Sequence, residues 1–375
     1  MDLLKKGKMP RWSPILLFLF FSAACDTRHA PDATALSGAL VMENTHARYF
    51  QILGDRTERW LIVFGPAGRT DTLGIYHFGT NGNVLATVAG VDRAIVASTT
   101  HLSFIAALGQ EEKVVGATHL DQVFNERIKE LAAAGKIKEV GVADGLDQEA
   151  LVQAHAQIIL DHAFGRVDHG SRIGVPVVRI TEYLEEHPLG RAEWIKVFGL
   201  LFGAEEQSQQ LFERIRAAYE RTALNNIDVE HRPKVFFGSA WQGQWFAPPA
   251  NSYMATLIQD AGGEYVFADS TGEGNITLDL ETVIHKVRRA DHFGMILAAD
   301  RVDAAVLAGG DHRLMRLKAV NEGGFYGSTR TSDLFGQALL EPHVLLEDLA
   351  MIFHGTPEGG REPRYFLPVA GDLAR

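Results

Sequence analysis

The chain has 375 residues, is 46% hydrophobic and 22% charged, and carries a formal net charge of −11 with a single cysteine. That length exceeds what one hydrophobic core usually serves, so two domains or lobes are expected. The acidic balance argues against a general nucleic-acid binder, and one cysteine leaves no intramolecular disulfide to make.

The N-terminus carries Lys5, Lys6, Lys8 and Arg11, then the apolar run Pro14-Ile-Leu-Leu-Phe-Leu-Phe-Phe21, then Ser22-Ala23-Ala24-Cys25. A positive flank, a short apolar run and a small-residue cleavage site describe a secretory signal peptide over residues 1–24. The run is shorter than the roughly 20 residues a membrane span needs. A cysteine directly after small residues resembles the lipobox of bacterial lipoproteins, where the chain is cut before the cysteine and its thiol is acylated. Ser22 departs from that pattern, which usually has Leu there. Cys25 is the expected lipidation site, with ordinary cleavage beside an incidental cysteine as the alternative. Residues 25–46 then read as lipid anchor and polar tether.

Residues 47–187 are expected to hold a β-rich segment followed by an α/β lobe. Runs 48–53, 58–64 and 72–78 are short strands split by turn residues. From Arg93 the style changes. Strands at 94–97, 113–117, 139–142, 157–160 and 175–180 alternate with helices at 102–108, 125–134 and 147–155, a pattern of a mostly parallel sheet. Within 188–224, Trp194, Phe198, Leu201, Phe212, Ile215 and Tyr219 recur at helical spacing, which predicts one long bridging helix from about 191 to 224. Residues 225–375 resume the α/β style, with strands at 234–238 and 293–297, helices at 251–261, 279–289, near 302–307, 311–318 and 341–354, and a Gly-rich turn at 323–327.

The two halves echo each other. Leu146-Asp-Gln-Glu-Ala-Leu-Val152 matches Leu278-Asp-Leu-Glu-Thr-Val-Ile284, each ahead of a strand. In both, Asp caps a helix and Glu sits in the first turn, where the dipole favours an anion. Helix-start chemistry explains each residue singly; two similar lobes explain the shared seven-residue pattern.

Four stretches carry a family resemblance: Arg93–Gly109 with Val114–Thr118, Leu146–Leu151, Asn251–Gly263 ending in Ala-Gly-Gly, and Pro342–His354. In this order and spacing the sequence resembles class III periplasmic solute-binding proteins, which deliver iron-siderophores, cobalamin or haem to ABC importers. The resemblance runs over about residues 92–356 and leaves the β-rich segment unaccounted for. It implies two α/β lobes bridged by one helix, small hinge motion, and a ligand held between the lobes. It also implies a monomer in the periplasm, no cofactor, no nucleic acid, and a permease dimer with its ATPase as partner. Glu149 and Glu281 match the exposed glutamates that pair with permease arginines in that family.

Ligands of open α/β sheets bind outside the carboxyl ends of the strands. The residues that follow the expected strands are Ser98, Thr99 and His101, then His119, Asp144, and Asp161-His162 with Phe164 in the N-lobe. In the C-lobe they are Trp241, Trp245 and Tyr253, with Tyr326 and Thr331-Ser332-Asp333 toward the rim. Alternation with Gln242, Gly243 and Gln244 suits a loop wall for the tryptophans, and such aromatics suit a large planar ligand. His101, His119 and His162, with the repeated pairs Asp161-His162 and Asp168-His169, also admit bare Zn, Mn or Fe. A metal chelate is the first reading and a bare transition metal ion the second. A hydrolase lacks support, since no nucleophile elbow or His-Glu-x-x-His helix is present.

Overall fold

The computed structural model describes residues 40–55, 58–79, 90–142, 145–162, 174–272, 274–308, 311–356 and 360–369. The signal peptide, Cys25, Asp144, Phe164, Asp168 and His169 lie outside these residues.

Two parallel sheets organise the molecule. In the N-lobe, strands run in the order Val177–Ile180, Ile158–His162, Ala94–Val96, Val114–Ala117, Lys138–Glu139, all parallel. In the C-lobe the order is Glu264–Tyr265, Lys234–Phe237, His292–Ile296, Phe325–Ser328, Leu367–Pro368, with the last strand antiparallel. Strands buried on both faces need apolar side chains throughout, and Ala94, Ile95, Val96, Ile158, Ile159 and Leu160 are all sealed from solvent. The expected Gly-rich turn at 323–327 is instead largely strand. Phe325 pairs with Phe293, which pairs with Phe236, giving an aromatic row across three strands at centroid distances of 5.7 and 4.8 Å.

The N-terminal strands Leu40–Met42, Phe50–Gly54, Glu58–Gly65 and Gly68–Gly79 form an antiparallel meander. Its inward residues Phe50, Ile52, Leu61, Val63, Tyr76 and Phe78 join the core of the lobes. The meander also covers the edge of the N-lobe sheet. The Arg179 N–H, on edge strand Val177–Ile180, donates to Tyr76 Oη at 2.9 Å, and Thr181 Oγ1 donates to the Phe64 carbonyl at 3.0 Å. An open strand edge is a template for association, and this one is closed.

The connection between the lobes is helical but jointed, not one continuous rod. It comprises Pro188–Glu193, Ile195–Phe202 and Glu205–Leu224. Gly203 supplies the second joint: its φ of 70° is left-handed, which only glycine adopts without strain. Glu205 and Glu206 then open the next helix at its positive end. That 20-residue helix spans about 30 Å. All six residues of the predicted apolar stripe are buried.

The bridge is seated on two buried carboxylates. Glu193, fully buried, accepts from the backbone N–H groups of Thr45, His46 and Ala47 at 2.7–2.9 Å and from Lys196 Nζ at 2.6 Å. Glu185 accepts from Arg48 and Tyr49 N–H and from Trp194 Nε1, each at 3.0 Å. Burial pushes the Glu185 carboxyl up to about 7, against those hydrogen bonds, which lower it.

His187 caps the first bridge helix, its Nδ1 accepting from Leu189 N–H at 3.0 Å. Burial, then the nearby His46 and Arg48, lower its pKa from 6.5 to about 4. Protonation therefore favours unfolding. The stability His187 supports is intact above about 6.5 and is withdrawn as pH falls toward about 4. His187→Asn keeps a cap acceptor that does not titrate. The slope of Tm on pH over that window should flatten in this variant. Glu185 acts in the opposite sense in both chains, so their difference isolates His187.

Candidate functional site

The carboxyl ends of the two sheets face each other. Helix Thr99–Ala107, which follows the central N-lobe strand, packs against Gln337–Leu340, which follows C-lobe strand Phe325–Ser328. Helix Pro188–Glu193 touches the same turn and helix Tyr253–Asp260. In the N-lobe the strand order reverses between Ala94–Val96 and Ile158–His162, a switch point where open α/β sheets hold ligands.

Unpartnered polar atoms collect in this region. Among the described residues, both ring nitrogens of His101, Thr118 Oγ1 and Glu182 Oε2 on the N-lobe side are buried without a hydrogen-bond partner. Tyr253 Oη and Ser328 Oγ are buried likewise on the C-lobe side. His101 Nε2 lies 3.6 Å from Glu182 Oε2, beyond hydrogen-bond length. Arg191, at the bridge start, holds its guanidinium carbon 4.3 Å from the Tyr253 ring centre and interacts electrostatically with Glu182. Burial raises the Tyr253 hydroxyl to about 12, so it stays a neutral donor. His101, Glu182, Arg191 and Tyr253 thus form a polar line from one lobe through the bridge to the other. Leaving such groups unpaired costs about 1–3 kcal/mol each, which a hydrogen-bonding guest relieves.

The other expected residues divide. Ser98 occupies the N-cap of helix Thr99–Ala107 without a side-chain cap bond, so both it and Thr99 stand at the switch point. His119 adopts a left-handed φ of 56°, and its N–H donates to Glu139 Oε1 at 3.1 Å. The His162 carbonyl accepts from Arg179 Nη1, which also bonds Asp161 Oδ2 at 3.0 Å. The three histidines do not gather. Among the described residues no group of three or more His, Cys, Asp or Glu is placed to hold a metal ion.

The tryptophan region is not a loop wall but a hairpin, Ser239–Trp241 with Gln244–Ala247, extended by Ile276–Leu278. Gln242 and Gly243 both have positive φ, the signature of a tight hairpin turn. Trp241 stands at its tip, 68% exposed. Trp245 turns inward and packs 5.9 Å from Phe293 and 6.2 Å from Phe236. Tyr326 is likewise a core residue, its ring lying over Gly294, where a Cβ would come within 2.4 Å of it. Exposed Phe124 and Phe335, absent from the sequence expectation, lie in the segments that follow strands Val114–Ala117 and Phe325–Ser328. Two surface concavities lie elsewhere. One is at the outer edge of the C-lobe sheet beside Glu264 and Tyr265, the other between the ends of helices Glu205–Leu224 and Pro342–His354. Neither touches a switch point, so the topology rather than surface relief marks the site.

Glu149 and Glu281 occupy the first turns of helices Gln148–Ala154 and Leu280–Val287. Each helix returns antiparallel to the strand that follows it, so its first turn is level with the carboxyl ends. Both residues are exposed. Glu149 accepts from Gln153 at 3.1 Å, and Glu281 pairs with Arg313 at 2.7 Å.

A family model described as periplasmic binding protein matches residues 95–326. The chain belongs to the periplasmic binding protein family. Among similar solved structures is a periplasmic heme-binding protein from Pseudomonas aeruginosa, with TM-score 0.59 and 18% identity over 75% of this chain and 98% of that one. Another is a possible iron-binding periplasmic solute-binding protein from Staphylococcus epidermidis, with TM-score 0.56 and 16% identity over 70% and 99% of the two chains. An uncharacterized lipoprotein of Methanocaldococcus jannaschii is 26% identical, over 73% of this chain and 68% of its own. As a member of this family the chain is a solute-binding protein rather than an enzyme, and it acts on a ligand rather than through a cofactor.

Proposed function

We propose that this periplasmic binding protein captures a metal chelate, a ferric siderophore, cobalamin or haem, between its lobes and hands it to a permease. The observation that carries this reading is the set of buried, unpartnered polar atoms around His101, Glu182 and Tyr253, with Trp241 exposed at the tip of the hairpin that follows C-lobe strand Lys234–Phe237. A large ligand with polar edges and a planar body uses both. The similar heme-binding and possible iron-binding periplasmic proteins agree with it. Bare metal is the weaker reading, because the described residues offer no three-ligand set. Native mass spectrometry during titration with haem, cobalamin, a ferric siderophore and zinc tests it. A tight 1:1 complex with an intact chelate is expected; binding of zinc alone would overturn it.

The two tryptophans give a second check. Trp241→Ala should weaken chelate binding about three- to tenfold with Tm unchanged, as loss of one exposed aromatic contact predicts. Trp245→Ala should instead cost about 3–5 kcal/mol of stability, the range for emptying a core aromatic site. Equal effects on binding from both would refute the division.

The carrier is held at a membrane through Cys25 on this reading, and a lipoprotein relative supports it. Tethering raises the effective concentration near the permease. Cys25→Ser should move the protein to the soluble fraction while it still binds ligand. Retention in the membrane fraction would show another anchor.

A further inference from the structure

Residues 43–49 lie against the start of the bridge and connect to the C-lobe through Glu186 and His187. We propose that this segment is a strap that splints the bridge and sets the opening between the lobes, so that its seating governs how fast solute is exchanged. The proposal rests on the reading that solute sits between the lobes.

The inner side of the strap is buried and charged. Five consecutive backbone N–H groups, Thr45 to Tyr49, end on the two carboxylates of Glu193 and Glu185. Lys196 Nζ completes the clasp, bonding the Glu43 carbonyl at 2.9 Å and lying 4.6 Å from the centre of the Phe212 ring. Every group offered to Glu193 is a donor, so the carboxylate is a fixed acceptor in a dry site. Clasps of this kind break with difficulty, because each component is left unpaired out of water.

The outer side reaches the C-lobe. Arg48 Nη1 pairs with Glu186 Oε2 at 3.0 Å, and the other oxygen of Glu186 accepts from Asn251 Nδ2 at 2.7 Å. Asn251 lies just ahead of helix Tyr253–Asp260, and Thr256 in that helix donates to the Glu186 carbonyl at 3.3 Å. A second route runs through rings. His46 stacks on His187 at 5.1 Å, His187 meets Tyr219 edge-on at 5.8 Å, and Tyr219 Oη donates to Asp260 Oδ2 at 2.6 Å. The inner clasp is strong and the outer latch is solvated, with the Arg48 side chain 72% exposed. Exposed ion pairs are weak, so the latch is the part that yields when the C-lobe swings and the clasp is the part that stays.

The test uses the full-length protein and two variants, with hydrogen exchange as the first readout and release of bound haem as the second. Arg48→Ala removes the latch from an exposed position and should not disturb folding. Exchange at 253–260 is expected to rise at least about threefold, while exchange at 158–162 stays unchanged, the pattern of local rather than global opening. Haem release should quicken by a similar factor. Glu193→Gln should do the same and also expose amides 45–49. If amides 45–49 exchange faster in Glu193→Gln while 253–260 and haem release do not change in either variant, the strap is a local anchor and the proposal fails. Should Glu193→Gln not fold, Arg48→Ala alone decides. If haem does not bind, the exchange data still judge the strap, and the haem form of the functional reading is what has failed.

Discussion

Glu193→Ala is expected to cost the protein about 3–5 kcal/mol of unfolding free energy, the range for removing one partner of a buried ion pair. The deletion leaves Lys196, 1% exposed, without its anion and strips acceptors from three backbone N–H groups. Replacing both charges, as in Glu193→Leu with Lys196→Met, removes the stranded cation and should restore part of the loss. It cannot restore all of it, because the N–H groups of Thr45, His46 and Ala47 still lack their acceptor. The order wild type, double variant, single variant should appear in urea denaturation followed by circular dichroism. A single-variant loss below about 1 kcal/mol would mean that water reaches the clasp.

The second large effect concerns delivery. On the reading that Glu149 and Glu281 dock the permease, reversing both charges, Glu149→Arg with Glu281→Arg, should reduce uptake in cells to background while chelate affinity stays within about twofold, since both are exposed and pair with Gln153 and Arg313 rather than with the buried polar groups. Electrostatic pairs at a fixed separation set register more than affinity. Arg313 already neutralises Glu281, but that pair is exposed, with Glu281 at 73%, and such pairs contribute roughly 0–1 kcal/mol. An incoming arginine displaces it at little cost. Arg313→Ala alone should therefore leave uptake intact or improve it. Wild-type uptake by the doubly reversed variant would remove these glutamates from the docking surface.

Legibility in the sequence followed the range of the interaction. Asp147 and Asp279 were readable as helix caps because the event is local, and both side chains do accept from N–H groups two or three residues on. The α/β alternation and the apolar stripe of the bridge were readable for the same reason. The inward turn of Trp245 is hidden in the sequence because a two-residue turn at Gln242-Gly243 makes paired strands of this stretch, which sends alternate side chains inward. Tyr326 depends on a glycine in the neighbouring strand at 294, a fact no local pattern carries. The joint at Gly203 had a visible signal, glycine followed by Ala-Glu-Glu, whereas the break at Trp194 had none. The clasp joins residues more than 130 positions apart, and Glu182 meets His101 only because the edge and centre strands, one strand apart, end on the same side of the sheet.

The meander and the strap seated on the clasp lie ahead of the stretch that the family shares, residues 95–326. The shared stretch is accordingly not a unit that can be cut out. A chain trimmed to begin at residue 90 would carry a bare strand at 177–180, an apolar face stripped of Phe50, Leu61 and Val63, and two carboxylates and a lysine buried against nothing. Inheritance and autonomy have different borders in this molecule: what makes it a member of its family begins at one point in the chain, and what lets it stand alone in water begins some fifty residues earlier.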